Sequence, residues 1–204
     1  MSQAKHITRL TPYASSADFR RVFDEDMSSL YLLSFLLTAD HEKAEQCFVS
    51  GLDDAVKGNA VFREWARSWA RRAIILNAVR VIKPRPGDES GSGPNSCLLN
   101  SNNKALSDEK QKEIAPVLGL EPFERFVYVI TVLERYSDQE CSVVLGCKRR
   151  DISAVRIRAF QQIARSMELH YKQLANASAE KPALLERPSS VLQLLVAPRL
   201  ATSS

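Results

Sequence analysis

The sequence predicts an all-α protein made of two small helical domains joined by a flexible linker, and three observations support this fold class. Apolar residues recur at three- and four-residue steps over most of the chain. The stretch "KPRPGDESGSGPNS" at residues 83–96 interrupts that pattern and has the composition of a linker. After it, "SDQECSVVLGCKRRDISAVRIRAF" has the pattern of a helix, a glycine turn and a basic helix. The predicted boundaries are residues 15–84, 85–106 for the linker, 107–170, and 171–204 for a tail.

Three helical segments are predicted in the first domain. The first spans residues 18–38; the second begins after Asp40, a residue type that caps helix N-termini, and ends near Gly58. The third spans residues 59–82 and has two distinct faces. Its apolar face carries Phe62, Trp65, Ala66, Trp69, Ala70 and Ala73, and its basic face carries Arg63, Arg67 and Arg71.

Two interpretations apply to Trp65 and Trp69. Tryptophans four residues apart on an apolar helix face are most often core residues. Beside a row of arginines they are also suited to single-stranded nucleic acid, because a basic groove follows the backbone while aromatic rings stack on bases. Both interpretations stay open on the sequence alone.

The second domain begins with helices marked by Ser107, a potential N-cap, and by Pro122, since proline suits the first turn of a helix. A third helix is predicted from the capping-box spacing of Ser137 and Glu140. It ends at Gly146, which can adopt the left-handed conformation that closes a helix, and a fourth helix follows within about three residues. This arrangement is typical of a helix-turn-helix, which presents its second helix to the DNA major groove.

The last of these helices is predicted to be basic on its outer side. If Ile152, Val155 and Ala159 pack against the preceding helix, the cations point outward. Arginine can pair two donors with guanine, and any of these cations can contact phosphate. A solvated basic helix would have the same composition, but the helix–glycine–helix framework favours DNA binding. The candidate DNA-binding residues are Lys148, Arg149, Arg150, Ser153, Arg156 and Arg158.

Composition limits the function classes. The 204 residues are 45% hydrophobic, enough to bury a core, and the net charge of +4 is mild. We find no signal-peptide pattern and no apolar run of roughly 18 residues, so we expect a cytoplasmic protein without membrane insertion. The four cysteines lack CxxC spacing, so no metal site is expected. No phosphate-binding loop, nucleophile elbow or HExxH motif occurs, so we expect neither a cofactor nor an enzyme.

The segment "LEPFERFVYVITVLERYSDQECSVVLGCKRRDISAVRIRA" resembles the C-terminal, promoter-binding domain of bacterial RNA polymerase sigma factors of the sigma-70 family, especially the extracytoplasmic-function group. The family pattern has Leu-Pro, Glu-Arg, an apolar helix, Tyr-Ser and Leu-Gly in this order. One departure is Arg156, where the family usually has leucine. The matching positions are Leu120 and Pro122, Glu124-Arg125, residues 127–133, Tyr136-Ser137 and Leu145-Gly146.

The first predicted domain resembles the polymerase-binding and promoter-melting domain of the same family. The family's Leu-Thr-Gly-Asp and Ala-Glu-Asp are similar to the segment with Leu37, Thr38, Asp40, Ala44 and Glu45. Its Phe-x-x-Trp-Leu and Ile-Ala-Arg-Asn are similar to the segment with Phe62, Trp65, Ala70, Arg71 and Arg80. The two resemblances together cover residues 18–82 and 109–166.

The resemblance implies a transcription initiation factor that recognises promoter DNA and directs core RNA polymerase, with an anti-sigma factor as a further partner. It also implies roles for two surfaces of the first domain. The promoter-melting candidates are Arg63, Trp65, Arg67 and Arg71, and the polymerase-docking candidates are Glu45, Gln46, Val49 and Asp53.

The docking helix departs from the family pattern. Sigma factors of this group usually have an apolar pair and then an acidic and amide face at this point, where the chain has Gln46, Val49 and Ser50. The alternative function is therefore a sigma-like helical interaction module that no longer docks on core polymerase. Such a module would bind another regulator, for which the apolar segment "VLQLLVA" at residues 191–197 is a candidate surface.

Overall fold

The structure is a computed structural model that describes residues 12–58, 60–87 and 108–179. Most of the predicted linker, the predicted N-cap Ser107 and the apolar segment at residues 191–197 lie outside the described residues. Spatial contacts divide the chain into two units, one ending at Met167 and one beginning at Glu168.

The described residues are all-helical, as the sequence predicts, and contain no strand. They form eight α-helices, with a 3-10 turn at Arg63–Trp65 and a π-helical turn at Val129–Leu133. The α-helices are α1 (Ser16–Glu25), α2 (Met27–Thr38), α3 (His41–Lys57), α4 (Ala66–Ile82), α5 (Asp108–Leu118), α6 (Pro122–Tyr128), α7 (Asp138–Leu145) and α8 (Arg149–Ala179).

The first predicted segment is two helices rather than one. α1 begins at a capping box formed by Ser15 and Asp18. The chain then bends at Asp26, where φ is −102° and ψ is 15°. Hydrogen bonding continues through the bend, because the Asp26 N–H donates to the Val22 carbonyl and the Asp26 carbonyl accepts from the Leu30 N–H. Apolar residues recur at helical steps on both sides of the bend, which is why their spacing predicts a single helix.

α3 has the bounds that the sequence predicts. Asp40 is its N-cap and accepts the Lys43 N–H at 2.9 Å, and Gly58 follows its last turn. The middle of the helix packs closely on α4, since a Cβ at Gly51 would lie 2.7 Å from Ile74 Cδ1. The absence of a side chain at Gly51 therefore permits the close approach of α3 and α4.

α4 begins later than the sequence predicts. Tyr13 and Phe62 form an isolated antiparallel β-bridge, which holds the preceding segment extended, and the 3-10 turn follows. A 3-10 helix has about three residues per turn. Phe62 and Trp65 therefore do not lie on the apolar face that α-helical periodicity predicts, and α4 starts at Ala66.

The second half of the chain keeps its predicted helix starts. α6 begins at Pro122, in the position where proline needs no hydrogen-bond partner for its nitrogen. The apolar helix predicted at residues 127–133 is not α-helical throughout, because Val129–Leu133 form a π-helical turn. α7 and α8 then follow with a short turn between them.

The larger of two hydrophobic clusters in the described residues joins the helices of the unit that ends at Met167. Its fully buried residues come from both predicted domains, including Leu37 and Ile74 of the first and Phe126 and Ile130 of the second. The buried Arg125 adds a polar link, because its Nε–H donates to the Leu37 carbonyl at 3.3 Å. The described helices thus share a core, and the division into two domains stays a prediction.

The unit that begins at Glu168 is described by the end of α8. Lys172 donates to Glu168 at 2.7 Å, a pair with the four-residue spacing that supports a helix. Along the described parts of the chain, no helix combines the length and apolar character that a membrane span needs.

Candidate nucleic-acid interface

A tight glycine turn connects α7 and α8. The Ser137 hydroxyl accepts the Glu140 N–H at 3.2 Å, and the Glu140 carboxylate accepts the Ser137 N–H at 2.8 Å, so the predicted capping box is present. Hydrogen bonds from the Ser137 hydroxyl and backbone hold the pKa of Glu140 below its usual value. Gly146 ends α7 in the left-handed conformation, with φ 66°, and α8 begins at Arg149. The predicted start and end of α7 and the start of α8 are confirmed.

The buried face of α8 is the predicted one. Ile152, Val155 and Ala159 are at most 3% exposed. Ile152 and Val155 belong to the same core as Cys141 of α7. Burial of these side chains fixes the rotation of α8 about its axis, which decides which residues of its first turns face solvent.

The beginning of α8 is a positively charged surface. Lys148, Arg149 and Arg150 are exposed. The Arg150 Nε lies 3.7 Å from the Asp151 carboxylate, a surface pair of small energetic value. Among the residues that the structure describes, Lys148 and Arg149 form no ion pair. These three cations are therefore available to an anionic ligand.

The other three candidate DNA-binding residues contact carboxylates of neighbouring helices. Ser153 Oγ and Arg156 Nη1 donate to the two oxygens of Asp138 at 2.6 Å and 2.5 Å. Arg158 Nε lies 3.3 Å from Glu124. Ser153 and Arg156 thus attach α8 to the start of α7, and Arg158 attaches it to α6.

Two arginines of the promoter-melting candidates contact carboxylates around α1. Arg63 Nε lies 3.4 Å from Asp18. Arg67 donates to Glu25 at 2.5 Å and to Asp26 at 3.0 Å. The bend between α1 and α2 brings Glu25 and Asp26 to the same guanidinium. Part of the positive charge of this face is therefore balanced within the chain.

The third arginine, Arg71, contacts the second half of the chain. Its Nε donates to Glu134 Oε2 at 2.6 Å, and its Nη2 donates to Glu134 Oε1. Its Nη1 donates to Ser29 Oγ at 3.0 Å. These bonds raise the pKa of Arg71, chiefly through Glu134. Arg71 therefore links α4, α2 and the segment after the π-helical turn.

An aromatic groove of about 500 Å³ lies beside Arg71. Trp65 is 56% exposed, and its ring contacts the Phe62 ring edge-on with centroids 5.3 Å apart. Trp69 is partly buried against the core. The core interpretation is therefore wrong for Trp65 and holds in part for Trp69. Arg72 and Tyr136 complete the walls.

Sequence reasoning did not identify the groups that hold these surfaces together. Glu134 and Tyr136 precede α7 and lie far in sequence from the α4 residues that they contact or adjoin. Asp138, at the start of α7, contacts Ser153 and Arg156 of α8. A pattern of single residues contains no signal for such pairs. Arg72 could have been found, because it directly follows Arg71 on the basic helix.

The four polymerase-docking candidates lie on the exposed face of α3. Glu45, Gln46 and Asp53 are exposed, and Val49 is 56% exposed. The Asp53 carboxylate accepts from Lys57 at 3.2 Å. The structure thus brings these residues together on a surface that a partner could reach.

Cys47 and Cys141 are buried, and Cys147 is partly buried. Burial raises the pKa of Cys47 to about 11 and that of Cys141 to about 12. The thiolate, which is the nucleophile and the metal ligand, is therefore disfavoured at both positions. In the described part of the chain, no cluster of histidine, cysteine, aspartate and glutamate is arranged to hold a metal ion.

Comparison with known protein families finds no family profile that matches this chain, and comparison with curated proteins finds no matching relative.

Proposed function

We propose that the chain is a DNA-binding transcription initiation factor of the sigma type, which recognises promoter DNA and directs RNA polymerase to it. The observation that supports this most is the start of α8. Arg149 and Arg150 are exposed in its first turn and Lys148 directly precedes it, while Ile152 and Val155 are buried in the core that also contains Cys141 of α7. A helix held in this way after a tight turn suits the DNA major groove.

Within this proposal α7 and α8 form a helix-turn-helix, and its cations have different roles. Arg149 and Arg150 lie where a recognition helix reaches base edges, and each guanidinium can pair with guanine O6 and N7. Lys148 and Arg158 contact phosphates. Ser153 and Arg156 orient α8 through Asp138, so that the first turn meets the groove at a fixed angle.

The basic face of α4 and the turn before it is the surface proposed for melted promoter DNA. Arg67 and Arg71 lie one turn apart on α4 and Arg63 precedes them in the 3-10 turn, so these cations can contact a phosphate backbone. The exposed ring of Trp65 offers a stacking surface for an unpaired base. Carboxylates of the chain occupy these arginines in the free protein, so DNA must compete for them.

The exposed face of α3 is the surface proposed for core polymerase. Glu45 and Asp53 supply acidic groups, and Val49 supplies an apolar contact. An anti-sigma factor that covered the same face would compete with polymerase. Both partners follow from the resemblance to sigma factors and from the exposure of this face.

The decisive experiment is transcription with purified core RNA polymerase on genomic DNA fragments. We expect the chain to co-elute with core polymerase and to produce transcripts that start at defined positions. The matched control is the variant in which Arg149 and Arg150 are both replaced by alanine, which should co-elute with polymerase but lose promoter selection. No transcript together with no co-elution would overturn the proposal.

A second candidate function is a helical interaction module that binds another regulator. The composition of the α3 face favours it, since Gln46, Val49 and Ser50 replace the residues usual in the sigma group. This function predicts stable binding to a protein partner and no co-elution with polymerase. Co-elution with core polymerase therefore separates the two candidates.

A further inference from the structure

Leu133 and Glu134 have the opposite exposure from that expected of their side chains. Leu133 is 45% exposed, whereas the Glu134 side chain is only 6% exposed. The π-helical turn Val129–Leu133 ends directly before Glu134, whose N–H donates to the Val129 carbonyl at 2.9 Å. Such a turn contains one residue more than an α-helical turn and so rotates the residues that follow it. The turn thus directs Glu134 inward.

Arg71 compensates for the burial of this carboxylate. Its Nε and Nη2 donate to the two oxygens of Glu134, while its Nη1 donates to Ser29. A carboxylate buried to this extent needs a paired charge, because desolvation of an unpaired ion is costly. All three nitrogens of Arg71 are therefore engaged within the chain.

The ion pair lies in a cavity that adjoins the aromatic groove. Ser68 and Tyr136 line both the groove and a smaller cavity of about 330 Å³ that contains Arg71 and Glu134. The groove therefore lies between α4 and the segment at residues 133–136. Separation of Glu134 from Arg71 would loosen the wall that Tyr136 provides.

We propose that the Arg71–Glu134 ion pair is an autoinhibitory latch, in which Glu134 holds the guanidinium that would otherwise bind a DNA phosphate. This inference rests on the proposed function, which assigns Arg71 to the surface for melted DNA. Carboxylate and phosphate both accept two parallel N–H bonds from a guanidinium, so they compete for the same donors. Apparent affinity falls in proportion to the fraction of molecules whose site is open. The latch therefore lowers the affinity of the free chain for single-stranded DNA.

Tryptophan fluorescence can report on the latch without DNA. The chain has two tryptophans, Trp65 and Trp69, and both line the groove beside Tyr136. Glu134→Gln removes the charge and keeps the size of the side chain. We expect acrylamide to quench this variant more strongly than the wild type. Exchange of the two charges, Arg71→Glu with Glu134→Arg, rebuilds the pair and should return quenching towards the wild-type level.

The affinity for a labelled single-stranded oligonucleotide of mixed sequence is the second measurement. The matched control is Glu113→Gln, which removes one exposed carboxylate of α5 and changes the net charge equally. We expect Glu134→Gln to bind at least about fivefold more tightly than Glu113→Gln, the lower end of typical coupling between sites. Circular dichroism establishes that each variant keeps its helices. If Glu134→Gln does not fold, Glu134→Asp takes its place. This variant shortens the side chain by one methylene, and acrylamide should quench it more strongly than the wild type.

The outcomes separate the latch from the proposed function. Quenching of Glu134→Gln equal to that of the wild type would overturn the latch. If Glu134→Gln is quenched more strongly but binds the oligonucleotide no more tightly than Glu113→Gln, the proposal that Glu134 keeps Arg71 from DNA is overturned. Stronger quenching, while no variant binds the oligonucleotide, would show that the ion pair restricts the groove but would overturn its inhibitory role, together with the assignment of this face to melted DNA.

Discussion

At the scale of single residues, Gly146 has the clearest conformational requirement. Its φ of 66° lies in the left-handed region, and beyond its own local backbone no atom of the described residues lies within 4 Å of the position of a Cβ. A side chain there would therefore meet local backbone strain but no overlap with the other helices. We expect Gly146→Val to lower the free energy of unfolding by about 1–2 kcal/mol. Gly146→Asn should cost less, because asparagine tolerates this conformation. Urea unfolding measures the stability of both variants. A valine variant as stable as the wild type would contradict the left-handed conformation of Gly146.

The exposed arginines of α8 should separate into base-reading and phosphate-binding residues. We expect Arg149→Ala or Arg150→Ala to cost about 1–3 kcal/mol on a selected duplex and to relax preference at one base pair. Arg158→Ala should weaken binding to all sequences and make the slope of log affinity against log salt shallower by about 0.9. Binding titrations against selected and scrambled duplexes at several salt concentrations measure these effects. Uniform small losses from all three variants would mean that the helix is only a charged surface.

The capping box of α7 should give stability a dependence on pH. The pKa of Glu140 is lower in the folded chain than the 4.5 of an unperturbed glutamate, because Ser137 donates hydrogen bonds to the ionised form. Its contribution to stability is therefore complete above about pH 4.5 and is lost as the pH falls through the lower folded value. We expect Glu140→Gln to be less stable than the wild type at pH 7 and the difference to shrink below pH 4.5.

Urea unfolding between pH 3 and pH 7 tests this expectation. Ser137→Ala removes the other half of the box and should cost about 0.5–2 kcal/mol at pH 7. A stability difference between Glu140→Gln and wild type that stayed constant across the range would show that the ionised carboxylate does not stabilise the cap.

At the scale of elements, the exposed face of α3 makes a prediction about polymerase. Val49 is 56% exposed, so Val49→Arg should leave the fold unchanged. It would place a positive charge between Glu45 and Asp53 and should abolish co-elution with core polymerase. Glu42→Arg, in the first turn of the same helix, is the control and should have a smaller effect. Unchanged co-elution of Val49→Arg would remove this face from the proposed interface.

Local signals in the sequence predict most helix ends. Asp40 caps α3, Pro122 starts α6 and Gly146 ends α7, each through chemistry that involves only neighbouring backbone groups. The bend at Asp26 is missed because the apolar spacing is the same on both sides of it. The late start of α4 is missed because it depends on Tyr13, which pairs with a residue almost fifty positions away.

The candidate surfaces could be predicted only in part. The cations at the start of α8 are exposed as expected, because burial of one face of a helix determines the opposite face. The partners of Arg67 and Arg71 could not be predicted, since they are carboxylates 41 to 63 residues away in sequence. Residue type shows that an arginine can bind phosphate but gives no information on which carboxylate already holds it.

At the scale of the whole molecule, the shared core predicts the behaviour of a chain cut between its halves. We expect a specific protease site inserted between Gly93 and Pro94 to be cleaved, and the two fragments to co-elute at micromolar concentration. Phe126 and Ile130 pack in the same core as residues of α2 and α4, so we expect them to stay buried after cleavage. Gel filtration of the cut protein measures this. Separate elution of the fragments would show that the two halves are independent domains.

The π-helical turn Val129–Leu133 accommodates one residue more than an α-helical turn. Closing of this turn as an α-helix at the present chain length would rotate the following chain by about one helical position, roughly 100°, and would separate Glu134 from Arg71. Deletion of Val132 is expected to have the opposite outcome, because Glu134 would become the fourth residue after Val129 and its N–H could keep the Val129 carbonyl as its acceptor. Related chains that lack this residue should therefore retain a counterpart of the Arg71–Glu134 pair.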